Sequence, residues 1–264
     1  MNLPTFLIGG APRAGTTFLY EVLAEHPDVF LAKPRNPEPK FFLVDDEYQK
    51  GLAYYSHKYF SGADREKPGE ADAGGRPIVP IALGEKSTNY LENPRVADRI
   101  RGSLPDVKLL FVLRNPIERA FSNYLWSKKN LLETLPFDEA IATEATREAR
   151  YSAEHRYSRP FSYVSRGIYA CHLRPYYAAF PREQILVVLL EDLEHHPEAR
   201  IDAICRFLGV RPLQFTGERH RRVNTARQGN EQLDPRTRDK LKEIYREPNR
   251  ELAELLQRDL SHWS

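Results

Sequence analysis

Cysteine is almost missing from this chain: there are two among 264 residues, Cys171 and Cys205. Each lies in an amphipathic helical pattern, GIYACHLRPYY and ARIDAICRFLGV, so buried free thiols are expected rather than a disulfide or a metal pair. Long apolar runs are missing too. No stretch of about 18 apolar residues occurs, so no membrane span is expected, and MNLPTFLIGG has neither the basic start nor the apolar length of a secretory signal. A cytoplasmic protein is the expectation. Neither sign of charge dominates: 39 basic against 37 acidic residues leave a formal charge of +2. That balance argues against a general nucleic-acid surface, so an anion site has to be made by placing a few cations locally. The adjacent His195 and His196 lack the i, i+4 spacing of a zinc pair on one helix face and are expected to face solvent; no metal site is expected.

What the chain does have is a series of short apolar runs, at Phe6–Ile8, Val29–Leu31, Val107–Leu113 and Ile185–Leu190, separated by segments of helical period. VKLLFVL and ILVVLL are apolar on both faces, as the central strands of a helix-covered parallel sheet are. The fold class expected is α/β, a P-loop-like three-layer fold with a central parallel sheet flanked by helices, in a single domain over residues 1–264. Residues 61–84, rich in Gly, Pro and charge without a sustained period, read as a surface loop. A last helix is expected to start with Asp234 as cap and Pro235 as first residue, with a break or kink near Pro248.

FLIGGAPRAGTTFLYEVL reads as a strand, a phosphate-cradling turn and a helix whose Phe18, Leu19, Val22 and Leu23 share one face. Gly10 and Gly15 have the separation of a P-loop, yet Thr16 stands where the lysine belongs, and the one cation of the loop is Arg13. Three readings compete. A Mg-nucleotide enzyme such as a P-loop kinase needs that lysine and an acid at the end of a buried strand. A plain strand-to-helix turn needs neither. A loop that holds a phosphate-bearing donor without metal needs protein cations instead, and Arg13, Lys86 and Arg114 are placed for that. LRNPIERAFSNYLWS repeats the strand-to-helix design: Arg114 ends the strand, Asn115 caps, Pro116 opens the helix, and Ala120, Phe121, Tyr124 and Leu125 form its inward stripe. Ser122, about two turns on, can present its hydroxyl to the same ligand as Arg114.

Ordinary roles fit several of these residues. Glu38 suits a Pro-rich surface turn, Lys86 suits a pair with Glu85 or another nearby carboxylate, and Ser122 suits back-bonding within its helix. Arg219, Arg221, Arg222 and Arg227 suit a solvated basic loop as well as a lid over an anionic donor.

Four stretches, in order, resemble the sulfotransferases that use 3′-phosphoadenosine-5′-phosphosulfate (PAPS), in particular the glycan enzymes of the heparan sulfate glucosaminyl type. They are GGAPRAGTTFLYEVLAEHPDV; PEPKFF with KGLAYY; GEKSTNYLENP with LLFVLRNPIERAFSNY; and SRGIYACHLRPYYAAFPREQILVVLLEDL. With DPRTRDKLKEIY they span nearly the whole chain. The resemblance implies PAPS as donor, adenosine 3′,5′-bisphosphate as its product, and a small-molecule or glycan acceptor that takes the sulfuryl group on a hydroxyl or, in second place, an amine. It implies that Pro12, Arg13, Ala14, Gly15, Thr16 and Thr17 hold the 5′-phosphosulfate, that Arg114 and Ser122 hold the 3′-phosphate, and that Tyr169 contacts the donor. Glu38 matches the general base and Lys86 a lysine near the reacting groups, with Arg13 as the third catalytic residue. Apart from the resemblance, Lys40 and Phe41 are expected to meet the acceptor, though most of the aromatic residues of this region suit the core.

The chain departs from those relatives in four places. Arg13 replaces a lysine, so a planar fork stands in for a compact ammonium. Leu43 stands where the glycan enzymes often carry an aspartate that touches the sugar. A late Lys-Gly-Arg loop is replaced by VNTARQGN, where Asn224 and Arg227 are the substitutes expected to meet the donor. The paired cysteines of the secreted relatives are absent. Sulfuryl transfer by this scheme needs a base on the acceptor side and cations on the leaving side, and no metal. A P-loop kinase and a non-catalytic nucleotide-binding module are the rival readings; the second would have no need of Glu38 beside Lys86.

Overall fold

A computed structural model describes residues 1–63, 79–153, 155–213 and 231–263. Its strands are β1 (Phe6–Gly10), β2 (Val29–Leu31), β3 (Ala82–Lys86), β4 (Lys108–Leu113) and β5 (Ile185–Leu189). They form one sheet in the order β2-β3-β1-β4-β5, parallel throughout. Its helices are α1 (Thr16–Ala24), α2 (Asp45–Tyr48), α3 (Gly51–Phe60), α4 (Pro94–Ser103), α5 (Pro116–Lys129), α6 (Phe137–Ala142), α7 (Glu144–Glu148), α8 (His155–Ser158), α9 (Tyr169–Ala179), α10 (Leu190–His195), α11 (Pro197–Leu208) and α12 (Pro235–Leu256). This is the α/β, P-loop-like arrangement that the apolar runs predict. Among the described residues no helix is long and apolar enough to cross a membrane.

The described chain falls into two compact units, Met1–Leu113 with Tyr176 onward to residue 213, and Arg114–Pro175 with residues 231–263. The first holds the whole sheet. Phe6, Ile8, Leu110, Val112 and Val188 pack on one of its faces with Leu19, Val22 and Leu23 of α1 and Ile201, Ile204 and Leu208 of α11. The alternate residues Leu7, Leu109, Phe111 and Leu113 are equally buried, and the Tyr176 ring meets Phe111 edge-on at 4.9 Å. Both faces are therefore covered, which is why these strands carry no polar alternation.

β3 lies where the 61–84 segment was expected to be a surface loop, and that expectation is corrected for Ala82–Gly84. ALGEK has no β-branched residue, one glycine and two charges, so neither composition nor period marks it as a strand. Pairing on both edges forms it: Phe6 lies opposite Gly84 on one side and Val29 opposite Ala82 on the other. A side chain at Gly84 would meet the Phe6 ring at 2.2 Å, so only glycine lets β1 and β3 close.

In the second unit Ile117, Ala120 and Tyr124 of α5 pack with Phe137, Ala140, Ile141, Tyr163, Leu241 and Tyr245. Phe121 and Leu125, expected on the inward stripe of α5, are half-buried at its margin. Asn115 caps α5 by accepting from the Ile117 amide at 3.0 Å, and Asp234 caps α12 by accepting from the Thr237 amide at 3.0 Å. α12 runs on through Pro248 without the expected break. The donor that Pro248 withdraws would have served the carbonyl of Ile244, an exposed residue for which water is at hand. Cys205 is buried as expected, but Cys171 is exposed. The buried residues of α9 include Tyr169, Ala170, Leu173 and Tyr176, a stripe that misses position 171. His195 and His196 are both exposed, as their spacing suggested.

Candidate active site

The chain leaves β1 at Gly10 between the ends of β3 and β4. The Ala11 amide still donates to the Val112 carbonyl at 2.7 Å, and the Ala14 amide closes a turn onto the Ala11 carbonyl at 3.3 Å. Arg13 and Gly15 both take left-handed backbone, at φ 68 and 85. A non-glycine residue held there costs about 1 kcal/mol or more, and such residues gather where a loop is shaped for a ligand. Gly15 is the N-cap of α1. By helix geometry the amides of Thr16 and Thr17 in the first turn have no acceptor within the helix, and the dipole favours an anion before them. Ala14 and Thr16 are buried, Pro12 and Arg13 half-buried, and Thr17 exposed. Gly15→Ala places its methyl 2.5 Å from Leu190 Cδ1 in a conformation L residues avoid. A loss of about 1 to 2 kcal/mol from the backbone alone is expected, read as a lowered thermal midpoint.

Next to this turn stands the end of β3. Lys86 pairs in register with Ile8, and the Ser87 amide extends the ladder onto the Ile8 carbonyl at 3.0 Å. This holds Lys86 beside β1 with its side chain only 6% exposed, and its Nζ forms an ion pair with Oε1 of Glu38, itself 14% exposed. Glu38 comes from the loop between β2 and α2. Its Oε2 accepts from the Thr88 amide at 2.9 Å, and the Thr88 hydroxyl lies 3.1 and 3.0 Å from its two oxygens. The structure thus joins the predicted base and the predicted lysine directly. Thr88, the residue that orients them, was not identified from sequence, because nothing in STNY distinguishes a ligand of Glu38 from a loop threonine.

Behind this pair lies Glu85, wholly buried and also unforeseen. Its Oε1 accepts from the hydroxyls of Tyr55 at 3.0 Å and Tyr90 at 2.7 Å, and its Oε2 from Ser87 Oγ at 2.8 Å. Burial pushes its carboxyl up to about 7, the three hydrogen bonds pull the other way, and nearby Glu38 adds to the rise. A charged residue beside the predicted lysine was the available signal; it was read only as a surface partner for Lys86.

Phe41, expected to meet the acceptor, does not line an open site. It is fully buried, stacked on Tyr55 at 4.3 Å between ring centroids and edge-on to Phe42 at 5.0 Å. Aromatic packing is the force that places it there. Lys40 is half-buried with a left-handed φ of 51. Leu43 is buried.

Of the residues expected at the 3′-phosphate, Arg114 follows β4 directly in the chain and is half-buried, as is Ser122 on α5. Tyr169 is buried and donates its hydroxyl to the Arg114 carbonyl at 2.8 Å, which ties down the main chain that carries this arginine. Asn224, Arg227 and the arginines at 219–222 lie outside the described residues.

A parallel sheet whose first strand runs into a glycine-bearing turn at a helix N-terminus, with Arg13 on that turn and Lys86 at the end of the next strand, is the frame of a P-loop-like α/β protein. A family model for the sulfotransferase domain matches residues 3–251, and the chain belongs to that family, whose members take PAPS as donor. It is 28% identical over 224 residues to a bifunctional heparan sulfate N-deacetylase/N-sulfotransferase of Drosophila melanogaster, covering 80% of this chain and 20% of that protein. It is 30% identical over 215 residues to the heparan sulfate glucosamine 3-O-sulfotransferase 3B1 of Mus musculus, covering 80% and 47%. The chain therefore spans less than half the length of these relatives. Its fold superposes on the crystal structure of a sulfotransferase from Alicyclobacillus acidocaldarius with a TM-score of 0.78, at 29% identity over 100% of this chain and 99% of that one.

Proposed function

We propose that this sulfotransferase moves the sulfuryl group of PAPS to a hydroxyl, or in second place an amine, of a small-molecule or carbohydrate acceptor, with Glu38 as general base. The observation that carries the reading is the oriented Glu38–Lys86 pair at the end of β3, on the strand next to the one that feeds the 10–17 turn. The turn suits an anionic phosphosulfate. Its backbone is left-handed at Arg13 and Gly15, a side chain at Gly15 would be obstructed, and cations stand on the turn at Arg13 and on the neighbouring strand at Lys86. PAPS supplies an activated sulfuryl group whose leaving side is a bisphosphate.

The protein's own groups divide the work. Arg13, Lys86 and the first-turn amides of α1 offset charge on the leaving phosphate, and Arg114 with Ser122 receives the 3′-phosphate. Glu38 takes the acceptor's proton. A carboxylate offers about four lone-pair positions, and three donors reach this one: Lys86 Nζ, the Thr88 amide and the Thr88 hydroxyl. Among the described residues one position is left for an acceptor O–H or N–H. The names of the relatives support a carbohydrate acceptor, whereas buried Leu43, at the position of their sugar-contacting aspartate, speaks for a different ligand there.

Calorimetry with adenosine 3′,5′-bisphosphate in EDTA, beside ATP with Mg²⁺, tests the reading. The bisphosphate is expected to bind without metal, and Arg114→Ala to weaken it by about 10- to 100-fold, the worth of charged hydrogen bonds. A preference for Mg-ATP over the bisphosphate would return the turn to the kinase reading.

A further inference from the structure

We infer that Glu85 is a positioning residue: its buried carboxylate fixes the 38–42 segment from behind and, through that segment, the aim of Glu38. The inference rests on the reading of Glu38 as the base.

Three side chains converge on Glu85, and each also holds the segment that carries Glu38. Ser87 Oγ donates to Glu85 Oε2 and accepts from the Lys40 amide at 2.8 Å. The Tyr90 hydroxyl donates to Glu85 Oε1 and accepts from the Phe42 amide at 3.2 Å. The Tyr55 hydroxyl donates to the same oxygen while its ring stacks on Phe41. A hydroxyl has one proton, so Glu85, by taking it, decides which way each hydroxyl faces. With their protons committed to the carboxylate, Ser87 and Tyr90 present lone pairs to the amides of Lys40 and Phe42. Without that acceptor the hydroxyls are free to turn, and both amides lose an oriented partner. Burying a carboxylate with no cation on it is expensive, and the core carries that cost at the one point that sets the backbone on either side of Lys40. Lys40 itself is in left-handed backbone two residues from Glu38, where a pinned main chain is needed most.

The test is amide hydrogen exchange on the full chain, read at Lys40 and Phe42 and, for reference, along β1 and β4, alongside bisphosphate calorimetry and the release of sulfate from PAPS with water as acceptor. Glu85→Ala is expected to speed exchange at both amides by about tenfold or more, as local opening becomes cheaper, and to lower sulfate release with bisphosphate affinity held within about twofold. Ser87→Ala is expected to act on Lys40 alone, and Tyr90→Phe on Phe42 alone. Glu85→Gln keeps the volume and an acceptor for the two tyrosines, so it remains informative where Glu85→Ala does not fold. Its amide nitrogen turns a donor toward Ser87 Oγ, so in Glu85→Gln exchange is expected to speed more at Lys40 than at Phe42. Unchanged exchange at Lys40 and Phe42 in Glu85→Ala, equal loosening of β1 and β4, or exchange faster at Phe42 than at Lys40 in Glu85→Gln overturns the inference. Failure of the native protein to bind the bisphosphate would instead strike at the sulfotransferase reading and leave the exchange results intact.

Discussion

Glu38→Gln lowers the turnover of this protein by roughly 10² to 10⁴-fold, the range that general-base groups contribute. The substitution is nearly isosteric but reverses the chemistry of one oxygen. Three donors point at the carboxylate, from Lys86 and Thr88. An amide nitrogen facing any of them sets donor against donor, and an amide oxygen facing them leaves the nitrogen toward the acceptor, where it cannot take a proton. The effect is expected in kcat rather than in donor affinity, because the proposed mechanism gives Glu38 the acceptor's proton and leaves the donor's charge to Arg13, Lys86 and the α1 amides. Sulfate release from PAPS with water as acceptor, set against bisphosphate calorimetry on the same variant, separates the two. A rate within about threefold of the native protein would remove Glu38 from the chemistry, since loss of a general base has a far larger effect.

The second large effect belongs to stability. Glu133, just beyond α5, has a side chain with no exposure at all, and it meets Arg147 of α7 at 2.7 Å. It also accepts from the Tyr163 hydroxyl at 2.5 Å and from the amides of Thr134 and Leu135 at 3.0 Å each. The Arg147 guanidinium lies over the Phe161 ring at 3.7 Å, which leaves it little freedom to turn to solvent. Glu133→Ala strands that cation and a buried hydroxyl, and is expected to cost about 3 to 5 kcal/mol at pH 7 by denaturant unfolding. Burial raises the Glu133 carboxyl, but Arg147, Tyr163 and the Leu135 amide outweigh it and hold it below the ordinary 4.5. A lowered native value stabilises the fold above pH 4.5 and is lost as pH falls through the native value. The gap between native protein and variant should therefore narrow in acid; a gap that stays constant from pH 7 to pH 3 would show packing, not charge, at work.

How much of this was legible in the sequence depended on whether a residue's neighbours were local. β1, β4 and β5 announce themselves because a strand buried on both faces must be apolar throughout, and α5 and α12 because Asn115–Pro116 and Asp234–Pro235 write cap and first turn side by side. β3 did not, since ALGEK becomes a strand only by pairing with β1 and β2. The same distance in sequence hid Glu85. Its partners Tyr55 and Tyr90 come from separate segments, and a carboxylate next to Lys86 looks locally like half of a surface pair. Glu38 was named through resemblance and Lys86 first as one of three cations placed for a metal-free donor, and the structure adds what no pattern holds, that Thr88 orients the pair they form. Phe41 misled for the converse reason: an aromatic next to a catalytic motif looks like a ligand wall, while the rings of Phe42, Tyr48 and Tyr55 had already claimed it for the core.

The strand pairing also bears on how such a protein can be rebuilt. The chain leaves the sheet at Leu31 and returns at Ala82 on the neighbouring strand, with Leu31 opposite Gly84. Everything between, Glu38 included, is an excursion whose two ends are clamped to adjacent ribs of one ladder. Closing such an excursion costs only about 0.6 kcal/mol for each doubling of its length. Inserts that leave Glu38 to Phe60 in place, with Tyr55 on Glu85 and Phe41, can therefore be exchanged beyond Phe60 without moving the cradle on β1. The chassis is separable from its attachment, and a library of such grafts would ask whether this excursion selects the acceptor while the cradle on β1 stays put.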